Sequence, residues 1–404
     1  MKTKFYSLLF FCAIVCSVQQ TAAQCGNRYK EMIFSNVTIT SNITYSTSNS
    51  TTLKLDVYEP TGDTATMRPL LIMAHGGSFI GGNKTNDAVC TEFCNNFAKR
   101  GYVCASIDYR LGQAFDMLSG PTAKDVVMKA ISDGKSAIRF FKKDAATTNT
   151  YRIDPSKVFV GGNSAGAVLY AHCVYIDSVN EAPADLRTII NANGGIEGNS
   201  GNDGYSSEAI ALLNLAGGLN EAAFVSPGNK PSFNAQGDED ATVPYMCANA
   251  QGGLTPVQLC GLGVIEPLYQ QYGIDHETII YPQQGHCPWQ GNAAMMMEID
   301  TSSANFFYPY ACTGGIFSSV NNVKATAEIS LFPNPAHSEV NLRSTERIST
   351  VSVFNSVGQL VAQNIFENTN GRINTSNFAQ GIYQVRIEFA DKNIAATTKK
   401  VVIE

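Results

Sequence analysis

Residues 158–167 read Val-Phe-Val-Gly-Gly-Asn-Ser-Ala-Gly-Ala. An apolar run ending at Val160 breaks on a Gly-x-Ser-x-Gly and then passes into a small-residue helical pattern. That order of strand, sharp turn and helix lifts the central residue, Ser164, out of the end of a sheet. The turn holds its central residue in a strained backbone conformation, so the flanking positions two before and two after cannot carry bulk. Gly162 and Gly166 meet that requirement. The helix behind the turn directs its positive end and its free N–H groups toward the serine.

Working outward, 404 residues leave room for one large domain and a smaller second one. A net charge of −6 with 15% charged residues carries no basic patch, so nucleic acid is not an expected partner. Met1-Lys-Thr-Lys4 precedes an apolar stretch from Phe5 to Val18 and small residues up to Ala23. This reads as a secretory signal peptide, residues 1–23, and the mature chain is expected to have no membrane span. Nine cysteines remain after cleavage, as in an exported protein with disulfides and at least one free thiol. Cys247 with Cys260 and Cys287 with Cys312 are the candidate bridges. Cys104 and Cys173 read as buried thiols.

Along the chain, residues 35–52 fit edge strands, and Leu53–Pro60 is a period-two strand. Pro69–Ala74 and Tyr102–Ile107 are continuous apolar runs of the kind buried on both faces of a sheet. Between them, residues 87–100 carry apolar side chains at helical spacing with Gly101 as the stop. The longest helix is expected from Ala123 to Ala145. Leu186–Ala192, Ser232–Ala235 and Glu277–Tyr281 read as further strands, with residues 197–230 as an insertion over the sheet's end. Alternating strands and helices predict an α/β fold with a mostly parallel, doubly wound sheet whose ligands bind at the carboxyl ends of the strands. Beyond Thr313 the pattern changes to short strands, which predicts a small all-β sandwich domain over 328–404. The expected domains are 24–315, a linker at 316–327, and that sandwich.

A serine hydroxyl needs a base within hydrogen-bond reach to act as a nucleophile. Of five histidines, His286 is the candidate, because a short loop places it just after the strand 277–281. His75 opens a glycine turn, His172 lies two turns into the helix after Ser164, His276 starts a strand at its far end, and His337 sits in a turn. An acid must hold the imidazole in its tautomer. Asp240, in Gly237-Asp-Glu-Asp-Ala-Thr-Val-Pro244, is chosen, with Asp238 as runner-up and an acidic calcium loop as the competing reading. Trp289 is either a pocket wall or core.

His75-Gly-Gly-Ser-Phe79, Asp108-Tyr-Arg-Leu111, Gly162-Asn-Ser-Ala-Gly166, Asp240-x-x-Val-Pro244 and Gly285-His286 together resemble the carboxylesterase and hormone-sensitive-lipase-like branch of the α/β-hydrolase superfamily, over about residues 53–290. The order Ser164, Asp240, His286 is that of this fold. The resemblance implies a triad of these three residues, oxyanion donors at Gly77, Ser78 and Ala165, and ester cleavage through an acyl-enzyme with no cofactor or metal. Two positions depart from the pattern: Ser78 stands where a third glycine is usual, and Gln236 precedes Gly237 where histidine is common.

Leu331-Phe-Pro-Asn-Pro-Ala336, Val351-Ser-Val-Phe-Asn-Ser-Val-Gly-Gln-Leu360, Gly381-Ile-Tyr-Gln-Val385 and the final Lys399-Lys-Val-Val402 resemble the C-terminal sorting domain of type IX secretion substrates. That resemblance implies the type IX translocon as a partner and a secreted or cell-surface location. The function implied is a secreted carboxylic ester hydrolase acting on a small-molecule or polysaccharide-linked ester. A lipase, an acetyl or feruloyl polysaccharide esterase, and a non-catalytic surface-binding protein are the alternatives.

Overall fold

The computed structural model describes residues 25–48, 50–312, 327, 329–355, 360–366, 368–391, 394 and 397–404. The expected signal peptide and the 316–327 linker, residue 327 aside, lie outside them. Two strands, β1 (Val37–Ser48) and β2 (Thr51–Pro60), form an antiparallel pair at one edge of the main sheet. There follow β3 (Arg68–Ala74), β4 (Val103–Ile107), β5 (Ile153–Asn163), β6 (Ala211–Leu215) and β7 (Ser232–Gly237). A separate small hairpin consists of β8 (Cys247–Asn249) and β9 (Gln258–Cys260), and β10 (His276–Tyr281) closes the far edge. The eight-stranded order is β1-β2-β4-β3-β5-β6-β7-β10, parallel from β4 to β10.

Among the described residues six α-helices accompany the sheet: α1 (Ala88–Lys99), α2 (Gly120–Ala146), α3 (Ala165–Tyr175), α4 (Ala184–Ala192), α5 (Leu262–Tyr272) and α6 (Ala293–Cys312). Side chains alternate between two cores, which is why β3 is apolar from Pro69 to Ala74. Leu70 and Ile72 join α2 and α3 in one core. Leu71 and Met73 join α1 and α6 in the other. Sheet and helices thus form the three-layer α/β arrangement expected, and all the connections that matter emerge at the carboxyl ends of β3, β5, β7 and β10.

Two expected elements differ. Residues 186–192 are helical, within α4, which buries Leu186 and Ile190, four residues apart, while its polar residues stay outside. Apolar side chains at 186, 189 and 190 follow a helical rather than an alternating period. The strand lies instead at β6, five wholly buried residues inside the segment 197–230 that read as an insertion. Helix α2 starts at Gly120, three residues early, with proline in its first turn.

Cys247 and Cys260 are bonded, as expected. Cys287 and Cys312 are not: Cys312 pairs with Cys25, and Cys287 is a buried thiol. Helix α6, 20 residues and about 30 Å long, carries Cys312 away from the end of the sheet where Cys287 lies. Cys104 is a buried thiol and Cys173 a half-buried one.

The tail contains β11 (Ile329–Phe332), β12 (Glu339–Ser344), β13 (Ile348–Phe354), β14 (Leu360–Ile365), β15 (Asn370–Asn374), β16 (Gly381–Phe389) and β17 (Thr397–Ile403). They form two antiparallel sheets, β11-β12-β15 and β14-β13-β16-β17. Val340, Leu342, Val351 and Ile387 fill one core between them, so the expected β-sandwich is present.

Candidate active site

Ser164 stands between β5 and α3 with φ +55° and ψ −117°. A non-glycine residue in that region is strained, and the surroundings over-determine it. A Cβ on Gly162 would lie 2.3 Å from the carbonyl carbon of Gly166, and one on Gly166 would lie 1.9 Å from the carbonyl oxygen of Ala74. Only glycine fits at either place. The tight turn leaves Ser164 Oγ 2.7 Å from Nε2 of His286.

His286 follows β10 on a short loop, and its Nδ1 lies 2.7 Å from Oδ2 of Asp240. Asp240, in the loop after β7, is buried, and its Oδ1 accepts the N–H groups of Thr242 and Val243 at 2.9 and 3.0 Å. Three candidates from three separate loops are therefore brought into one hydrogen-bonded row. Asp238 is not in it. Its Oδ1 accepts the N–H of Gln283 at 2.6 Å at an exposed turn, where it ties the acid loop to the histidine loop.

The loop after β3 supplies Gly77, Ser78 and Phe79, all at positive φ (+115°, +57° and +62°). Gly77 and Ser78 line the same cleft as Ser164 and His286, and Ala165 adjoins Ser164 in the first turn of α3. An N–H at that position has no intrahelical acceptor.

Sequence reasoning did not identify the residues that brace these loops. Asp87 caps α1 through Oδ1 to the N–H of Val89, while its Oδ2 accepts from the N–H of Gly76 at 2.7 Å and from Nδ2 of Asn163 at 3.2 Å. Asn163 Oδ1 in turn accepts from Nε1 of Trp289 at 3.2 Å. The loops bearing Gly77, Ser164 and His286 are thus tied together through two polar side chains. Gln236 donates to the Val243 carbonyl at 2.8 Å and accepts from the Leu262 N–H at 2.9 Å, which fixes the acid loop against α5. An Asp just before a helical run was legible as a cap. Its second set of acceptor contacts, which needs the fold, was not.

The other histidines are structural. His75 is buried, stacks on Tyr109 at 4.2 Å, and is depressed below its usual pKa by burial. His172 is buried between the Val168 carbonyl and the Asn220 N–H, and burial lowers its pKa to about 4. His276 and His337 bond to backbone carbonyls away from Ser164. Trp289 is wholly buried in the core with its N–H satisfied, although its edge reaches the cleft.

Ser164 and Ser78 sit where two cavities meet. One, of about 80 Å³, is apolar and runs along α3 past Val168 and Ile131 to His172. The other, of about 530 Å³, is more polar and includes Asp87, Asn163, His286 and Gln290.

Residues 55–194 match the BD-FAE family model, and residues 330–404 match the secretion system C-terminal sorting domain. In structure, the chain is similar to esterase 2 of Thermogutta terrifontis phosphorylated by paraoxon, with a TM-score of 0.51 at 20% identity, covering 70% of this chain and 96% of that one. The chain shares the α/β fold of that esterase. Its sorting tail marks it as a secreted or cell-surface protein. Among curated proteins, the chain is 30% identical to an AB hydrolase superfamily protein of Schizosaccharomyces pombe over 126 residues, 30% of this chain. It is 32% identical to a non-reducing polyketide synthase of Stereocaulon alpinum over 126 residues, 31% of this chain. The chain spans 32% and 5% of the length of those two relatives. No described helix of the chain is long and apolar enough to cross a membrane.

Proposed function

We propose that this chain is a secreted serine carboxylic ester hydrolase with Ser164 as nucleophile, His286 as general base and acid, and Asp240 as the group that orients the imidazole. The observation that carries the reading is the row Asp240–His286–Ser164, with 2.7 Å at both links. Ser164 Oγ attacks the ester carbonyl and passes its proton to His286 Nε2. The developing oxyanion takes hydrogen bonds from the N–H groups of Gly77, Ser78 and Ala165. As the tetrahedral intermediate collapses, the C–O bond to the alcohol breaks and His286 returns the proton to the leaving oxygen. Water, deprotonated by His286, then releases the acid and restores Ser164.

The apolar cavity suits the acyl chain, and the wider polar cleft suits a hydroxylated alcohol such as a sugar unit. That division favours a polysaccharide-linked or small polar ester over a lipid. We read residues 1–23 as a signal peptide, 24–315 as the catalytic domain, 316–327 as a linker, and 328–404 as the domain that the type IX translocon engages. The test is hydrolysis of p-nitrophenyl acetate, butyrate and decanoate by the full chain beside Ser164→Ala. Turnover on the shorter esters that vanishes in the variant supports the reading. Turnover that Ser164→Ala leaves unchanged refutes it.

A further inference from the structure

Ser78 and Gln251 are 173 residues apart in sequence, and Gln251 Nε2 donates to Ser78 Oγ at 2.7 Å. Both have left-handed backbones, at φ +57° and +58°, although neither is glycine. Such strain persists only where the surroundings hold it, and it concentrates at functional sites. Ser78 lies in the loop after β3 and lines both cavities beside Ser164, so its side chain must be accommodated there.

Gln251 belongs to the segment between β8 and β9, which the Cys247–Cys260 disulfide closes at its base. Ala250 and Val257 of this segment, with Leu259 of β9, line the apolar cavity as its roof. The roof is fixed on two further sides. The N–H groups of Gln251 and Gly252 donate to the carbonyls of Thr242 and Ala241 at 2.8 and 2.7 Å, just beyond Asp240. Cys260 exchanges backbone hydrogen bonds with Leu219. A single side chain therefore connects a stapled roof, seated on the acid loop, to the oxyanion loop.

We propose that Gln251 is a positioning residue: through Ser78 Oγ it holds the Ser78 N–H in place for the oxyanion and keeps the roof closed over the acyl chain. This inference rests on the ester-hydrolase reading above. Holding the oxyanion donor affects the transition state, so its loss appears in kcat rather than KM. Holding the roof limits acyl length, so its loss favours longer chains.

The experiment measures kcat and KM of the full chain on p-nitrophenyl butyrate and decanoate for the wild type, Ser78→Ala, Gln251→Met and the double variant, with Ser164→Ala alongside. Methionine keeps the length of glutamine and removes the donor. Each single variant is expected to lower kcat on butyrate about fivefold to tenfold with KM within about twofold, and Gln251→Met to raise the decanoate-to-butyrate ratio of kcat/KM. The double variant is expected to be no slower than the slower single, because both remove one interaction. Multiplying losses, or a loss confined to KM, would overturn the inference while leaving the hydrolase reading intact. Absence of any Ser164-dependent turnover in the wild type overturns that reading and this inference with it. If Gln251→Met fails to fold, Gln251→Leu, which can neither donate nor accept, is held to the same criteria.

Discussion

Oδ2 of Asp240 lies 2.7 Å from Nδ1 of His286, and Oδ1 of the same carboxylate is held by two backbone N–H groups of its own loop. The carboxylate is therefore fixed before substrate arrives, and the imidazole is held in the tautomer that presents Nε2 to Ser164. Asp240→Asn keeps the shape and reverses one hydrogen-bonding role, so kcat is expected to fall about 10³- to 10⁴-fold. Asp238→Asn, two residues away and pointing elsewhere, is expected to cost less than about tenfold. Comparable losses in the two variants would move the acid assignment away from Asp240.

The turn at Ser164 has no space to spare. A methyl group on Gly166 would meet the Ala74 carbonyl oxygen at 1.9 Å, a backbone atom of the neighbouring strand that cannot rotate away. Gly166→Ala is expected to destabilise the protein by more than about 3 kcal/mol, or to leave it insoluble. Gly285→Ala, with nothing within 4 Å of the added carbon, is the matched control. Thermal melts of the two variants decide the matter, and similar melting temperatures would refute the steric argument.

The elbow was legible because its requirements are local: a buried strand, two positions that exclude side chains, and a helix start within ten residues. His286 and Asp240 were legible because each follows a strand by a short loop, and loops after parallel strands share one end of the sheet. What failed depended on context. Leu186, Ile189 and Ile190 keep helical spacing, but over a single short helix of nine residues that signal is easily read as a short apolar strand, and β6 is only five residues long among glycines and asparagines. Partner choice for Cys312 rests on where a 30 Å helix ends, which no spacing records. Gln251 was invisible because its role exists only across 173 residues.

Arg100, at the end of α1, and Asp300, in α6, form a two-pronged ion pair at 3.1 and 2.6 Å, and both are buried. Removing one partner strands the other charge away from water. Asp300→Ala is expected to destabilise the fold by about 3–5 kcal/mol, whereas the double replacement Arg100→Met with Asp300→Leu recovers much of the loss. Denaturant midpoints measure both. A single variant as stable as the wild type would mean that water reaches the guanidinium.

His172 supplies a pH dependence separate from catalysis. It is 4% exposed, between the Val168 carbonyl and the Asn220 N–H, and burial lowers its pKa from 6.5 to about 4 against the smaller opposing effect of the Val168 hydrogen bond. The folded chain keeps it neutral down to about pH 4, while the unfolded chain protonates it below about pH 6.5. Between those values the unfolded state binds the extra proton, so stability falls as the pH drops, by about 3 kcal/mol over the window. His172→Gln keeps an acceptor for Asn220 and cannot gain charge. Carboxylates titrate alike in both proteins, so the difference between their unfolding free energies at pH 7 and pH 4.5 isolates the histidine. The wild type is expected to lose more stability on acidification than the variant, and equal losses would show that the ring is protonated inside the fold.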